Sequence, residues 1–401
     1  MMQRYGKLMG GILLVAGTTI GAAMLAMPIS IGMAGFFPGV LLCFLCWLYF
    51  TYTALLMLEV NLWMEDEEVN LITMAKKTIG FGGEVFAWVA YLFLLYALTT
   101  AYIAGSGDAM VNFIQALTGL TLPSWLGPIP IMFIFGFFLY HGTRHVDLFN
   151  RALMIGLGVT FTFMIFGLIP YVELNKLLHV DWPPLLIGVS VVVTSFGYHI
   201  IIPSLTHYFH GDLYQMRRAI IIGSFFPLLV YILWIFVCLG IIPLNEIAIG
   251  FAEGNNGAMI VADILNQSTL EVVASFFVFF AIITSFLGVS LSLSDFLADG
   301  FKIKKTSLGK VLLCVLTFTP PFLFSIAGRR VFFGALEYAG AFGVVTLLGL
   351  LPALMVWYGR YKRGFEAKGT YRAPGGKGML IMVMAVAGAV FILELIIKVS
   401  A

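Results

Sequence analysis

Two stretches of this sequence carry residue types whose spacing suits ligand chemistry. GTTIGAAMLAMP, residues 17–28, places two glycines, two threonines and a proline inside the first long apolar run. TSFGYHIIIPSLTHY, residues 194–208, repeats the combination inside the sixth. Glycine and proline weaken a helix, and an interrupted helix frees backbone N–H and C=O groups. In apolar surroundings such groups persist only where they line a cavity or hold a ligand. A helix restarting near Ala22 would present its positive dipole end and the amides of about Ile20 to Ala22, a seat for a carboxylate. Carbonyls near Val15 to Gly17, and from Thr194 to Phe196, would suit an ammonium. An anion seat beside a cation seat describes a zwitterion, an α-amino acid. The residues assigned to it are Gly17, Thr18, Thr19, Ile20, Gly21, Ala22, Thr194, Ser195, Phe196, Gly197 and Tyr198.

Ionisable groups inside apolar runs are the next candidates, because each costs about 2.5–3.5 kcal/mol at membrane depth and requires a reason. They are Glu59, Asp108, His199, Asp295, Glu337 and Glu394. Glu59, Asp108, Asp295 and Glu394 are placed near helix ends, where they reach water. His199, beside the break expected in the second Gly/Pro stretch, and Glu337 are the candidates for proton exchange; a structural histidine bonded to unwound backbone is the plainer reading of His199. HGTRH at 141–145 and HYFH at 207–210 raise metal chemistry, but only six histidines exist, too few for a di-iron oxidoreductase site. Cys43 and Cys46 have CxxC spacing among Phe, Leu and Trp, so they read as small buried hydrophobes. No metal or cofactor is expected.

The elements that must position these residues follow from composition. Hydrophobic residues make up 61% of the 401 and charged residues 10%, against roughly 25% in a soluble domain. Mean hydropathy is +1.02. Apolar runs of the ~20 residues that cross a bilayer recur throughout, and each must be helical to satisfy its peptide groups. Eleven spans are predicted at 8–34, 36–60, 82–116, 127–141, 151–171, 185–210, 218–243, 270–299, 308–326, 330–358 and 378–399. Arg4 and Lys7 lead into the first run without an Ala-x-Ala site, so it reads as a span. EDEEVNLITMAKKTIG, residues 65–80, is compatible with a short amphipathic helix on the membrane or with a plain solvated loop, and the connector near 244–269 reads as short and polar. The net charge of +2 says little about nucleic acid, but the polar segments are too short to form a domain that binds it.

With an inside N-terminus, 18 of the 22 Lys and Arg residues fall on the cytoplasmic side. Only Lys176, Arg329, Arg330 and Lys398 lie opposite, a strong positive-inside bias. The C-terminus is then periplasmic. The first and sixth spans enter from opposite sides, so their defects occupy corresponding places in two five-helix units of inverted topology. That pairing points to a transporter with its site near mid-membrane. The units are 1–171 and 185–358, with 378–401 as an additional helix.

GGILLVAGTTIGAAMLAMP at 10–28, TSFGYHIIIPSL at 194–205, RRAIIIGSFFPLLVYILW at 217–234 and TSFLGVSLSLSDFLADG at 284–300 carry a family resemblance over essentially the whole chain. The sequence resembles the bacterial hydroxy and aromatic amino acid permeases, especially the tyrosine-specific ones, within the amino acid–polyamine–organocation superfamily. Ile200 stands where that pattern leads one to expect a small residue. The resemblance implies an all-α, five-plus-five transporter of the bacterial inner membrane with helices one and six broken, importing an aromatic amino acid, tyrosine first, with protons. The alternatives are another hydrophobic or hydroxy amino acid, or sodium coupling. It further implies that Tyr102, Phe196, Tyr198, Tyr338 and Phe342 line the ring pocket. Thr284, Ser285 and Ser290 would face helix one near the place where sodium-coupled relatives hold their ion, a polar pocket that a proton-coupled protein could use without one, which makes Thr284 and Ser285 further proton-coupling candidates.

Overall fold

The computed structural model describes residues 2–64, 70–118, 120, 123–141, 143–326, 330–365 and 371–400, and among them it is helix and loop without a strand. The first apolar run makes two helices. α1 (Met2–Thr19) stops before Gly21, and α2 (Ala23–Gly32) restarts with a bend of 57°. α3 (Phe36–Leu62) follows Gly35, whose φ of 96° suits glycine alone. α4 (Leu71–Thr78) is fixed by a capping box in which the Asn70 side chain accepts from the Thr73 amide and Thr73 answers the Asn70 amide. It buries Leu71, Met74 and Ala75, as an amphipathic surface helix should.

The chain continues through α5 (Phe81–Thr118), α6 (Pro128–His141) and α7 (Thr143–Leu168). The sixth apolar run forms α8 (Leu185–Thr194), an irregular stretch, a 3-10 turn at His199–Ile201 and α9 (Ile202–Tyr208). Then come α10 (Leu213–Ile241), α11 (Leu244–Glu253), α12 (Gly257–Leu265), α13 (Ser268–Gly300) and α14 (Ser307–Ser325). α15 (Val331–Tyr338) runs through a π-helical stretch, Ala339–Leu350, into α16 (Leu351–Tyr361), and α17 (Gly376–Ser400) is last.

Among the described residues, nine segments are long and apolar enough to cross a membrane, and the bent pair α1–α2 makes a tenth. α6 is the remaining predicted span. Its 14 residues reach about 21 Å at 1.5 Å per residue, short of a core roughly 30 Å thick. The 244–269 connector is not the plain polar loop expected. α11 and α12 bury Ile247, Gly250, Ile260 and Val261 and pack on α2. An amphipathic pattern split by the Gly254–Asn256 turn explains why the run read as loop.

Packing brings the two Gly/Pro stretches together. α1 lies along α10 and α2 along α8, while α13 packs on α5 and α7. α15 and the π-helical stretch pack on α5. Gly340 allows the π-helical stretch to touch α8, because a Cβ there would strike the Ser190 carbonyl. The connector between α7 and α8 caps two helix ends. Lys176 donates to the Ile241 carbonyl at 2.7 Å, and His179 Nε2 meets the Met33 carbonyl at 2.9 Å.

Candidate functional site

The first break begins three residues later than the sequence suggested. Gly17 and Thr18 lie inside α1, and the Thr18 and Thr19 hydroxyls back-bond to the Leu14 and Val15 carbonyls at 2.7 Å. Ile20 N–H still reaches the Ala16 carbonyl at 3.0 Å. The carbonyls of Val15 and Ala16 are therefore occupied, and Ile20 is not a free donor. Beyond it the ladder fails. Ala22 N–H is taken by the Ser285 hydroxyl of α13 at 2.9 Å, and that hydroxyl in turn donates to the Ala281 carbonyl at 3.0 Å. A Cβ on Gly21 would stand 2.6 Å from Ser285 Oγ, so only glycine lets the break approach α13 this closely. The expected anion seat thus reduces to the amides around Gly21, with Ser285 as a side-chain partner.

The second break is longer. Ser195 and Phe196 amides fold back onto Val192 and Val193 at 3.1 and 3.2 Å, and Tyr198 N–H turns to Phe196 O at 3.2 Å. Pro203 sits in the first turn of α9, where its missing N–H costs nothing. Thr194 Oγ1 lies 2.9 Å from both the Ser190 and the Leu336 carbonyls, tying the end of α8 to α15. Gly197 faces Leu348 of the π-helical stretch.

One side chain that the sequence did not single out joins the two breaks. The Tyr231 hydroxyl of α10 is 2.7 Å from the Thr19 carbonyl and 2.9 Å from the Ser195 carbonyl. A hydroxyl has one proton, so it satisfies one carbonyl at a time and leaves the other electron-rich in a buried place. That is the local chemistry of a cation seat, displaced from residues 15–17 to Thr19. Phe196 packs edge-on against Tyr231 at 5.4 Å, and Trp234 Nε1 donates to the Met24 carbonyl at 3.1 Å. The buried Tyr102 hydroxyl approaches Ser285, completing the group on the α5 side. The only prior signal for Tyr231 and Trp234 was a phenol and an indole N–H within an apolar span, each needing a partner once buried.

His199 is fully buried, with Nε2 2.8 Å from Thr53 Oγ1 and the ring edge-on to Phe50. Thr53 also lies 3.2 Å from the Phe50 carbonyl, an arrangement in which it donates there and accepts from Nε2–H. Nδ1 then has no hydrogen-bond partner among the described residues. Tyr198 is buried beside it.

Other expected residues lie elsewhere. Tyr338 and Phe342 stack on each other, and Phe342 meets Phe391 of α17 while Tyr338 is 43% exposed. They face α17 rather than the breaks; on the same span it is Gly340 that abuts Ser190 and Thr194 of α8. Thr284 Oγ1 is bonded back to the Phe280 carbonyl at 2.8 Å. Glu337 is paired with Arg330 and Lys398. Two acids expected at water are buried. Glu59 holds Arg360 through both oxygens, and Glu394 is bonded to Ser190. Partners distant in sequence supply what water would have. Asp295 reaches solvent and Lys305, and the side chain of Asp108 lies outside those described. The free cysteines Cys43 and Cys46 are buried. Among the described residues no three His, Cys, Asp or Glu side chains converge; those of His141 and His145 lie outside that set.

A cavity of about 430 Å³ reaches the first break at Ile20 and Met24 and continues between α7 and α10 past Met154, Phe161 and Leu233. Its walls are almost wholly apolar, and Leu229 and Phe226 on its rim are exposed, so it opens sideways toward lipid. It offers room but no charge for a zwitterion.

The spans and the bridged breaks define a multi-pass α-helical membrane protein with a polar centre between two interrupted helices. The profile of the tryptophan/tyrosine permease family matches residues 4–394, and the chain belongs to that family. The tyrosine-specific transport system 2 of Haemophilus influenzae is 32% identical over 397 residues, covering 98% of this chain and 97% of that one. A tryptophan-specific transport protein of the same organism is 31% identical, covering 95% and 94%. The glutamine transporter 2 of Aliivibrio fischeri is 30% identical, covering 92% and 95%.

Proposed function

We propose that this permease is a secondary active transporter importing an aromatic amino acid, tyrosine first, across the bacterial inner membrane by proton symport. The observation that carries the reading is the pair of interrupted helices joined at Tyr231. The amides at Gly21 would take the substrate carboxylate, and the carbonyls of Thr19 and Ser195, on exchange for the Tyr231 hydroxyl, its ammonium. Tyr102, Phe196 and Tyr198 stand close enough to the breaks to meet a ring. Offset or edge-on aromatic contacts add about 0.5–1.5 kcal/mol each beyond burial.

The contact pattern supports an inverted repeat. Counting α6 as the fourth span, α1 packs on α10 as α8 and α9 pack on α3, and α7 packs on α13 as α15 packs on α5. Exchanging span n with span n+5 maps each contact onto the other. The surface helix α4 and the pair α11–α12 also fall in corresponding connectors. Alternating access would then rock the paired broken helices against the α5–α13 frame. The N-terminus would be cytoplasmic and the C-terminus periplasmic.

Uptake of labelled tyrosine into proteoliposomes, competed by each of the twenty amino acids, tests the substrate. Tyrosine, tryptophan and phenylalanine should compete, and glutamine should not. Replacing sodium by choline should leave uptake intact, and a protonophore should abolish it. Strict sodium dependence would overturn proton coupling and move attention to the Ser285 hydroxyl and the carbonyls beside it.

A further inference from the structure

A second group of buried charge lies where α17 meets α8 and α15. Glu337 on α15 is bonded to Arg330 Nη2 at 2.9 Å and to Lys398 Nζ at 2.5 Å. The same Lys398 Nζ is 3.5 Å from Glu394, one turn earlier on α17, and 5.0 Å over the Tyr338 ring. Glu394 is only 3% exposed, and its other oxygen accepts from the Ser190 hydroxyl of α8 at 2.7 Å. Among the described residues, the titratable groups around Glu394 are thus Lys398 on its own helix, Glu337 and Tyr338 from α15, and Arg330 behind them. α8 contributes the neutral Ser190, and the π-helical stretch contributes Phe342 against Phe391.

Two acids share two bases unequally. Glu337 holds Arg330 and the near face of Lys398, so its charge is matched. Glu394 has the longer contact with Lys398, at 3.5 Å, and a neutral hydroxyl as its other partner, so it is the less tightly paired of the two buried acids. Ser190 can donate to a carboxylate or to the carbonyl oxygen of a carboxylic acid, so protonation keeps the bond. From Ser190 the connection runs one helical turn. Its carbonyl faces the Thr194 hydroxyl at 2.9 Å, and Thr194 is the last residue before the second break.

We propose that Glu394 is the proton-carrying carboxylate of this transporter, linked to the second helix break through Ser190 and Thr194. The assignment rests on the proton-symport reading above. A proton arriving from the outer side adds to a Glu394 oxygen and makes a neutral acid. Lys398 is then left to Glu337, and the tie from α17 to α8 falls from a charge-assisted to a neutral hydrogen bond, roughly half as strong. Release of the same proton toward the cytoplasm restores the carboxylate and the tie. α17, outside the repeated units, becomes the sensor of the gradient.

The test uses the full chain in proteoliposomes with labelled tyrosine and tryptophan. Two assays are compared, accumulation driven by an acid exterior and counterflow exchange without a gradient. In wild-type protein the gradient should raise accumulation at least tenfold. In Glu394→Gln that gain should vanish while exchange stays within twofold. Ser190→Ala, which leaves the carboxylate in place, should keep exchange and lose about half the gain. Gradient-driven accumulation by Glu394→Gln within twofold of wild type would overturn the assignment. So would loss of exchange together with accumulation, which marks a purely structural group. A wild-type protein that exchanges substrate but ignores the pH gradient would overturn the coupling reading itself, so the wild-type arm separates the two failures.

Discussion

The two interrupted helices meet the same problem with different partners. At the first, the chain turns by 57° between Thr19 and Ala23, and groups from other helices satisfy it: Ser285 of α13 takes the Ala22 amide and Tyr231 of α10 reaches the Thr19 carbonyl. At the second, residues 195–201 separate α8 from α9 while the span continues without a sharp bend. There the backbone largely serves itself, through the turns at Ser195, Phe196, Tyr198 and Ile201. A break held by its neighbours changes when they move, whereas a self-satisfied one carries its shape with it. The first break should therefore be the sensitive partner, and Tyr231 the point where the two are compared.

The largest effect is expected from Gly21→Val. Its Cβ would strike Ser285 Oγ, displacing the partner of Ala22, and overpacking of this kind costs about 1–3 kcal/mol. Uptake should fall roughly a hundredfold at unchanged membrane insertion, at about 1.4 kcal/mol per factor of ten. Normal transport by this variant would remove the first break from the site. Next is Tyr231→Phe, which keeps the ring on Phe196 and leaves two carbonyls with no donor, a loss of about 1–3 kcal/mol. We expect uptake roughly tenfold lower and a lower unfolding midpoint in detergent; equal values in both assays would make the bridge incidental.

Gly197→Ala probes the second break. Its Cβ would sit 3.3 Å from Leu348 Cδ1, the end of a side chain, so a two- to threefold drop in uptake is expected, of about 0.5 kcal/mol. A drop as large as that of Gly21→Val would invert the ranking of the breaks. The smallest effect belongs to Gly17→Ala. The nearest atom is Met154 Cε at an ordinary 3.5 Å, and alanine favours a helix by about 1 kcal/mol over glycine. Uptake should stay within about twofold, with the unfolding midpoint unchanged or higher. Strong loss there would extend the break back to where the glycine pattern first suggested it.

Periodicity, punctuation and charge made the spans legible, because a bilayer requires long apolar helices whatever they pack against. The Gly/Pro stretches made both breaks legible to within a few residues. Their ends were not, since threonine hydroxyls at 18 and 19 back-bond and a helix persists to Thr19 despite Gly17. Tyr338 and Phe342 looked like ring contacts by position in the tenth span, but the rotation of that span turns them to α17.

By itself, then, the sequence determined a chain of apolar spans, an orientation bias and two weak points in matching places. Each follows from local composition or from the bilayer, and neither needs a distant partner. Tertiary structure alone decided which groups meet. Tyr231 joins carbonyls 212 and 36 residues away, Arg360 matches Glu59 across 301 residues, and Glu394 finds Ser190 across 204. A buried polar group must be paired, but its sequence neighbourhood does not say with what. Only the packing of one helix against another makes that choice.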